Sequence, residues 1–283
     1  MALEYFFTIG IVLCANIILA IGFNIAAGYT GMLNLGQVAL FGVGAYTTAI
    51  LATNSVNPVI GAIVGVATAA LAGLLLSLPT ARLKQDYFAI ATLAFVILML
   101  SLARNWTGLT RGVFGIPKVP PLMSGLLETF LLGTVLVVIT FLLAWRLVSS
   151  KTGKVFEAIR DDEIAAQSLG YDTFKYKMMV MGISGAIAGV AGVYYVHFLR
   201  FVDPSFFALP EVIFAVAILI IGGLGSLLGS VLGASVVVIA YETIKYLPLP
   251  LEVLGAFRII LFGLIVLLVL LLRPKGIAGR IDL

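Results

Sequence analysis

Charge is what this chain has least of. Only 11% of its 283 residues are Asp, Glu, Lys or Arg, where a soluble domain carries about a quarter. The hydrophobic share is 62% and the mean hydropathy +1.19. Several apolar runs reach the ~20 residues that cross a bilayer as a helix. A soluble globular domain is excluded, and the fold class read from these values is all-α: a polytopic transmembrane helical bundle. The alternating apolar and polar pattern of a membrane β-barrel is absent. The net charge of +4 then belongs to loops at a membrane surface, with lipid rather than nucleic acid as neighbour.

Reactive side chains are nearly missing as well. Cys14 is the only cysteine, which excludes an internal disulfide. His197 is the only histidine, so a histidine-based metal centre or Cys/His cluster is excluded. At the end of a span, His197 is expected to pack rather than to catalyse. No catalytic residue and no metal ligand is expected. The phosphate-binding pattern GxxxxGK[ST] does not occur, since Gly153-Lys154 is followed by Val155. The chain therefore lacks its own P-loop motor. Ion-driven transporters place carboxylates in mid-membrane, whereas the acids here fall in loops or near span ends. The polar residues left in or near the spans are neutral: Asn16, Asn24, Thr30, Asn34, Gln37, Tyr46, Thr47, Thr92 and Ser184. As a pathway lining they suit a neutral or zwitterionic solute. Each could equally be a hydrogen bond between helices.

The spans expected are Tyr5–Gly28, Leu33–Thr53, Val59–Thr80, Tyr87–Ala103, Glu128–Ala144, Met178–Leu199, a short run Glu211–Gly222, Leu227–Thr243 and Val253–Leu272. That makes nine passes, or eight if one run is re-entrant. The first carries no basic flank and reads as a retained span rather than a cleaved signal. One set of loops holds eleven of the seventeen Lys and Arg residues, among them Arg82, Lys84 and Arg273. That set is expected on the cytoplasmic side, which puts the N-terminus outside.

Two stretches are rich in glycine, Gly28 to Gly44 and Gly222 to Gly233. Glycine weakens a helix interior by ~1 kcal/mol and lets membrane helices approach closely. Tight packing and broken helices lining a pathway are both open readings. Candidate pathway residues are Asn24, Thr30, Asn34, Gln37, Tyr46, Thr47, Thr92, Gly222, Gly223 and Gly225.

The remaining charge is concentrated. Arg146 to Lys177 holds eleven of the thirty formal charges and must lie in water. Thr152 is placed as an N-cap and Gly170 as the left-handed residue that ends a helix. Val155, Ile159, Ala166 and Leu169 recur at roughly helical spacing, which predicts one short helix with an apolar face. Asp172 is expected to cap the next helix. The stretch is a partner-facing helix or a plain connecting loop, and periodicity leaves both open.

A family resemblance lies in the residues Gly28-Tyr-Thr-Gly-Met-Leu-Asn-Leu-Gly-Gln-Val-Ala-Leu-Phe-Gly-Val-Gly-Ala-Tyr46, Asp86-Tyr-Phe-Ala-Ile-Ala-Thr-Leu93, Glu157 to Gly170, Ile221 to Gly233 and Arg273 to Gly279. In this order they resemble branched-chain amino-acid ABC transporter permeases of the LivM type, over essentially Gly28 to Gly279. The chain departs from that pattern at Gln37, where the family often has His, and between Thr110 and Gly115. The resemblance implies one translocating domain over residues 1–283, with a cytosolic coupling segment at 149–177, in the inner (plasma) membrane of a prokaryote. It implies two ATPase subunits that bind the ATP and magnesium, a second related permease subunit forming a heterodimer, and an extracellular substrate-binding protein. The chain itself then needs no cofactor and is no enzyme. Glu163, Ala165, Ala166 and Gly170 fit the family's E-x-A-A-x-x-x-G docking loop, and Glu157, Arg160 and Asp162 flank it. Related permeases carry urea and short amides. An intramembrane enzyme or a stand-alone channel are the readings from other classes.

Overall fold

A computed structural model describes residues 2–243, 263–264, 267, 271 and 275–279. The expected last span and most of the basic tail lie outside these residues. The chain opens with α1 (Ala2–Asn24), which passes into a π-helical turn (Ile25–Tyr29), then α2 (Gln37–Thr53), α3 (Pro58–Thr80) and α4 (Gln85–Asn105). A loop follows with the single turn α5 (Thr107–Thr110) and strand β1 (Ile116–Pro117). Next come α6 (Leu126–Val148), α7 (Lys151–Asp161), α8 (Glu163–Ser168) and α9 (Thr173–Leu199). After β2 (Phe201–Val202) the chain forms α10 (Leu209–Gly222) and α11 (Leu227–Thr243).

Five helical stretches are long and apolar enough to cross a membrane: Glu4–Tyr29, Pro58–Thr80, Gln85–Asn105, Leu126–Val148 and Thr173–Leu199. The helices α2 and α10 have 17 and 14 residues. At 1.5 Å per residue they reach about 21–26 Å, short of the ~30 Å hydrocarbon core. Helix α11 is described over 17 residues as far as Thr243. Of the expected eight or nine spans, the described residues show five full-length helices, the two short helices α2 and α10, and α11. The reason is local. Residues 31–36 are not in an α-helix, so α2 starts four residues later than the apolar run. A tight turn, with Gly223 at φ 101° and Gly225 at φ 72°, splits α10 from α11. A side-chain cap sets another start. Asn57 accepts from the Val59 N–H ahead of Pro58, a start the hydrophobic pattern alone does not mark.

Two ends of the bundle are defined by contacts. At the charged end lie α7 and α8, the C-terminal ends of α1 and α3 and the N-terminal ends of α4 and α9. At the far end β1 pairs antiparallel with β2, Ile116 opposite Val202, and Val119 donates to the Arg200 carbonyl. His197 is buried there. Its Nδ1 lies 2.6 Å from the Pro120 carbonyl and its Nε2 3.3 Å from Thr48 Oγ1. It ties a loop to two helices, a packing role.

Helix α9 is the hub, packed on α1, α2 and α3. Small residues let these backbones touch. A Cβ on Gly185 would sit 2.6 Å from the Ala69 carbonyl, and one on Gly44 2.7 Å from the Gly189 Cα. In a membrane, helix association rests on such packing rather than on the hydrophobic effect. By contrast α4 and α6 show apolar side chains outward, including Ile90, Ile97, Leu131, Val138, Leu142 and Leu143. An apolar exterior is what a lipid solvent requires.

Replacing Gly185 by Val should force α3 off α9 and cost about 1–3 kcal/mol. A lower midpoint in detergent unfolding, with Gly108→Ala unchanged because nothing lies within 4 Å of its Cβ position, checks this.

Candidate functional site

The charged stretch folds as two helices, not one. Ser150, rather than Thr152, caps α7, accepting from the Gly153 N–H at 3.4 Å. Asp162 ends it: its side chain accepts from the Ile164 and Ala165 N–H groups at 2.9 and 3.0 Å. Such a side-chain-to-backbone bond competes with helix continuation and starts α8. Gly170 follows α8 at φ 88°, in the left-handed geometry expected of it. Asp172 caps α9 through the Lys175 N–H at 3.3 Å. The Lys175 ammonium and that cap hold the Asp172 carboxyl below the usual carboxylate range.

The broken axis redistributes the faces. Val155, Ile159 and Ala166 are buried together, with Ala158 and Tyr176 packed against them. Leu169 was expected among them but is 76% exposed, and Ile164 is 75% exposed. The helix break rotates both outward, so α8 carries an apolar surface on the charged end of the bundle. Ala165 is exposed beside them and Glu157 is half-buried on α7.

Two side chains anchor the pair of helices to the bundle. The Lys177 ammonium, 8% exposed, lies 2.7 Å from the Glu163 carboxylate and also donates to the Ala81 carbonyl at 3.2 Å. Glu163 accepts from Thr173 Oγ1 as well. The Arg160 guanidinium bonds Asp161 through Nε and Nη2. Its Nη1 donates to the Gly28 carbonyl at 3.2 Å, within the π-helical turn after α1. Gln85 Nε2 donates to the Gly31 carbonyl at 2.7 Å. Arg160, Glu163, Lys177 and Thr30 share the wall of a small cavity of about 80 Å³.

The other polar residues are brought together in smaller groups. Asn24, fully buried, donates through Nδ2 to the Gly223 and Ser226 carbonyls and to Ser230 Oγ at 3.2, 2.9 and 2.8 Å. Its Oδ1 accepts from the Gly225 N–H at 2.9 Å. Gln37 donates to the Ser184 carbonyl, and Ser184 Oγ donates to Gln37 Oε1 at 2.7 Å. Asn34 Nδ2 donates to the same Gln37 oxygen, leaving Asn34 Oδ1 buried without a partner. Thr92 Oγ1 accepts from the Leu35 N–H, and Thr30 Oγ1 donates to the Ile25 carbonyl. Tyr46 stacks on Phe207 with its hydroxyl buried and unpaired, Thr47 accepts from Thr68, and Gly222 backs onto the Gly229 backbone. Most of these residues tie neighbouring helices or turns together, at several depths of the bundle.

Sequence reasoning missed three features of this region. The π-helical turn has no period to betray it. Lys177 reads as one more loop cation, yet it is a buried ion-pair partner. Arg160 reaches a carbonyl 132 positions away, which no local pattern encodes.

An apolar bundle of full-length helices, with its charge confined to loops and helix ends, defines a multi-pass membrane protein. The family model described as "Branched-chain amino acid transport system / permease component" matches residues 5–270, and the chain belongs to that family. It is similar to the "High-affinity branched-chain amino acid transport system permease protein LivM" of Escherichia coli (strain K12), 31% identical over 296 residues covering 92% of this chain and 67% of the relative. The protein of that name from Salmonella typhimurium is equally similar, 31% over 297 residues. The "Probable branched-chain amino acid transport permease protein LivM" of Methanocaldococcus jannaschii is 28% identical over 310 residues, 92% of this chain and 89% of the relative. No solved structure matches the chain.

Replacing Asn24 by Ala should leave the Gly225 N–H and the Gly223 carbonyl without their Asn24 partner, at about 1–3 kcal/mol per group. Hydrogen exchange of a peptide spanning residues 219–232 should accelerate markedly in the variant.

Proposed function

We propose that the chain is the permease subunit of an ATP-binding-cassette importer for branched-chain or similar neutral amino acids, in the plasma membrane of a prokaryote. Two separate ATPase subunits bind ATP and magnesium and drive it, a second related permease completes the pathway, and an extracellular binding protein delivers the solute. The charged end of the bundle faces the cytosol. The observation that carries this reading is the α8 surface. Ile164 and Leu169 are each about three-quarters exposed on a segment outside the long apolar helices, where neither lipid nor the bundle covers them. An apolar ridge in water is a site for a protein partner. Family membership supports an ATPase subunit as that partner.

The mechanical role follows from the anchors. A push on α8 passes through the Glu163–Lys177 ion pair to α9 and to the end of α3, and through Arg160 to the end of α1. Closure of the ATPase dimer would thus move attached helices as a body. The helix break at Asp162 and the left-handed Gly170 fix how α8 stands off the bundle. The neutral polar residues set the solute class, since no charged residue occurs among the interior ties around Asn24 and Gln37. Transport of urea or a short amide by the same architecture is the second reading, carried by the neutral side chains at Gln37 and Asn34.

The test uses the chain reconstituted with its partner subunits. Glu163→Lys sets two ammonium groups against each other, and Gly170→Pro forces φ to about −65° where the chain needs a positive value. Each should lower leucine uptake at least about tenfold, the rate equivalent of 1.4 kcal/mol, while ATP hydrolysis continues and membrane insertion is normal. Unaltered coupling in both variants defeats the assignment. Uptake of urea in place of leucine would select the second reading.

A further inference from the structure

The far end of the bundle holds a cavity of about 800 Å³ between α1, α2, α9, α10 and α11. That volume is within the range of small-molecule sites, and none of the pathway candidates named from the sequence except Asn16 touches it. Its wall is aromatic. Phe41 lies 5.9 Å from Tyr195 and 5.8 Å from Phe206, ring centre to ring centre, and Tyr195 and Phe206 are also 5.8 Å apart. The floor is Leu19 and Val38. Val38 directly follows Gln37, so the cavity ends on the hydrogen-bonded layer of Gln37, Ser184 and Gly22.

Among the described lining residues Asp203, Glu211 and Glu242 contribute carboxylates, with no lysine, arginine or histidine beside them. Asp203 accepts from the Ser205 N–H at 3.2 Å, and Glu242 accepts from the Tyr5 hydroxyl at 2.9 Å. Such a set of carboxylates attracts a cationic group. The aromatic wall beside it takes a short apolar tail, and a ring face adds to the attraction for an ammonium.

We propose that this cavity is a solute-holding chamber within the single chain, which receives a primary ammonium group at Glu211 and Asp203 and a short branched apolar tail against Phe41, Tyr195 and Phe206. The proposal rests on the reading of the chain as an amino-acid permease. It goes beyond that reading in placing a binding site inside this subunit and in assigning recognition to the ammonium rather than the carboxylate. The layer below the floor closes the chamber toward the charged end, so a solute held here waits above the Gln37–Ser184 contact.

Accessibility of a reporter cysteine tests it. Asn16→Cys is made in a Cys14→Ser background and studied in the complete transporter in nanodiscs, with Thr8→Cys as a second reporter should the first not assemble. The labelling rate by a charged methanethiosulfonate is measured with leucine, 3-methylbutylamine or 4-methylpentanoate present. Leucine and 3-methylbutylamine should slow labelling at least about fivefold, and 4-methylpentanoate, which lacks the ammonium, should not. Adding Glu211→Gln should raise the amine concentration for half-protection by about tenfold, or 1.4 kcal/mol. Labelling unaffected by the amine overturns the chamber, whatever the transport activity. Protection by the acid and not by the amine overturns the assignment of the ammonium. Leucine uptake measured on the same preparation separates a failed chamber from a failed transport reading, because the amine needs no transport to protect.

Discussion

The fold depends on the amide of Asn24. Inside a membrane, a backbone N–H or carbonyl without a partner costs several kcal/mol, so a helix can break there only where a side chain replaces the lost bonds. The chain breaks inside the bundle in two regions: residues 25–36, where a π-helical turn gives way to a non-helical stretch, and the turn at residues 223–226. Asn24 answers both faces of the second break with one side chain, donating to two carbonyls and accepting from the Gly225 N–H. The first is answered by Thr92 at the Leu35 N–H, Gln85 at the Gly31 carbonyl and Arg160 at the Gly28 carbonyl. The few polar residues in and beside the spans are thus where the backbone needs them. Their neutrality follows from the same constraint, since an amide can both donate and accept without the desolvation cost of an ion.

How much of this could be read from the sequence varies with the range of the interaction. Leu227 begins α11 as expected, because the glycines just before it interrupt the apolar run. The roles of Gly170 and Asp172 are local too, set by a left-handed turn and a capping bond within three residues. Leu169 is misread because helical spacing assumes an unbroken axis, and Asp162 breaks it. The late start of α2 is hidden for a similar reason. Leu33 and Leu35 are apolar enough to extend the helix, but the Leu35 N–H is taken by Thr92, 57 positions along. At the site, composition identified the neutral polar set but not its purpose, because partners such as Ser226 and Ser230 lie some 200 residues from Asn24. The cavity at the far end left no trace in the pattern, since its aromatic wall comes from three separate helices and loops.

At the charged end a short physical route joins α7 to the turn between α10 and α11. Arg160 on α7 holds the Gly28 carbonyl. Four residues earlier Asn24 holds the turn between α10 and α11, and a Cβ on Gly28 would strike both the Asn24 side chain and the Gly225 backbone. The segment 277–278 continues the contact, donating to the carbonyls of Ile221 and Gly222. On the proposed function, a displacement of α7 reaches the hairpin of α10 and α11 through the Arg160 side chain and then the close backbone approach of Gly28 to Gly225. Gly28 has no slack to absorb such a motion.

That route also decides which part of the bundle gives way. Helices α2, α3 and α9 meet backbone to backbone along Gly44, Gly185 and Gly189, a seam with no adjustable side chains between its parts. Sliding it would lose van der Waals contact along its whole length, and in lipid nothing replaces that contact. The α10–α11 turn is held differently, by hydrogen bonds from Asn24 and Ser230 whose partners could be exchanged in a second arrangement at little net cost. A rigid-body push delivered at Gly28 should therefore leave the α2–α3–α9 seam intact and move the hairpin relative to it. The large cavity lies between those two parts, with Phe41 and Tyr195 on the seam side and Glu211 on the hairpin. Its width then depends on a joint at which the exchangeable bonds of Asn24 and Ser230 hold the turn.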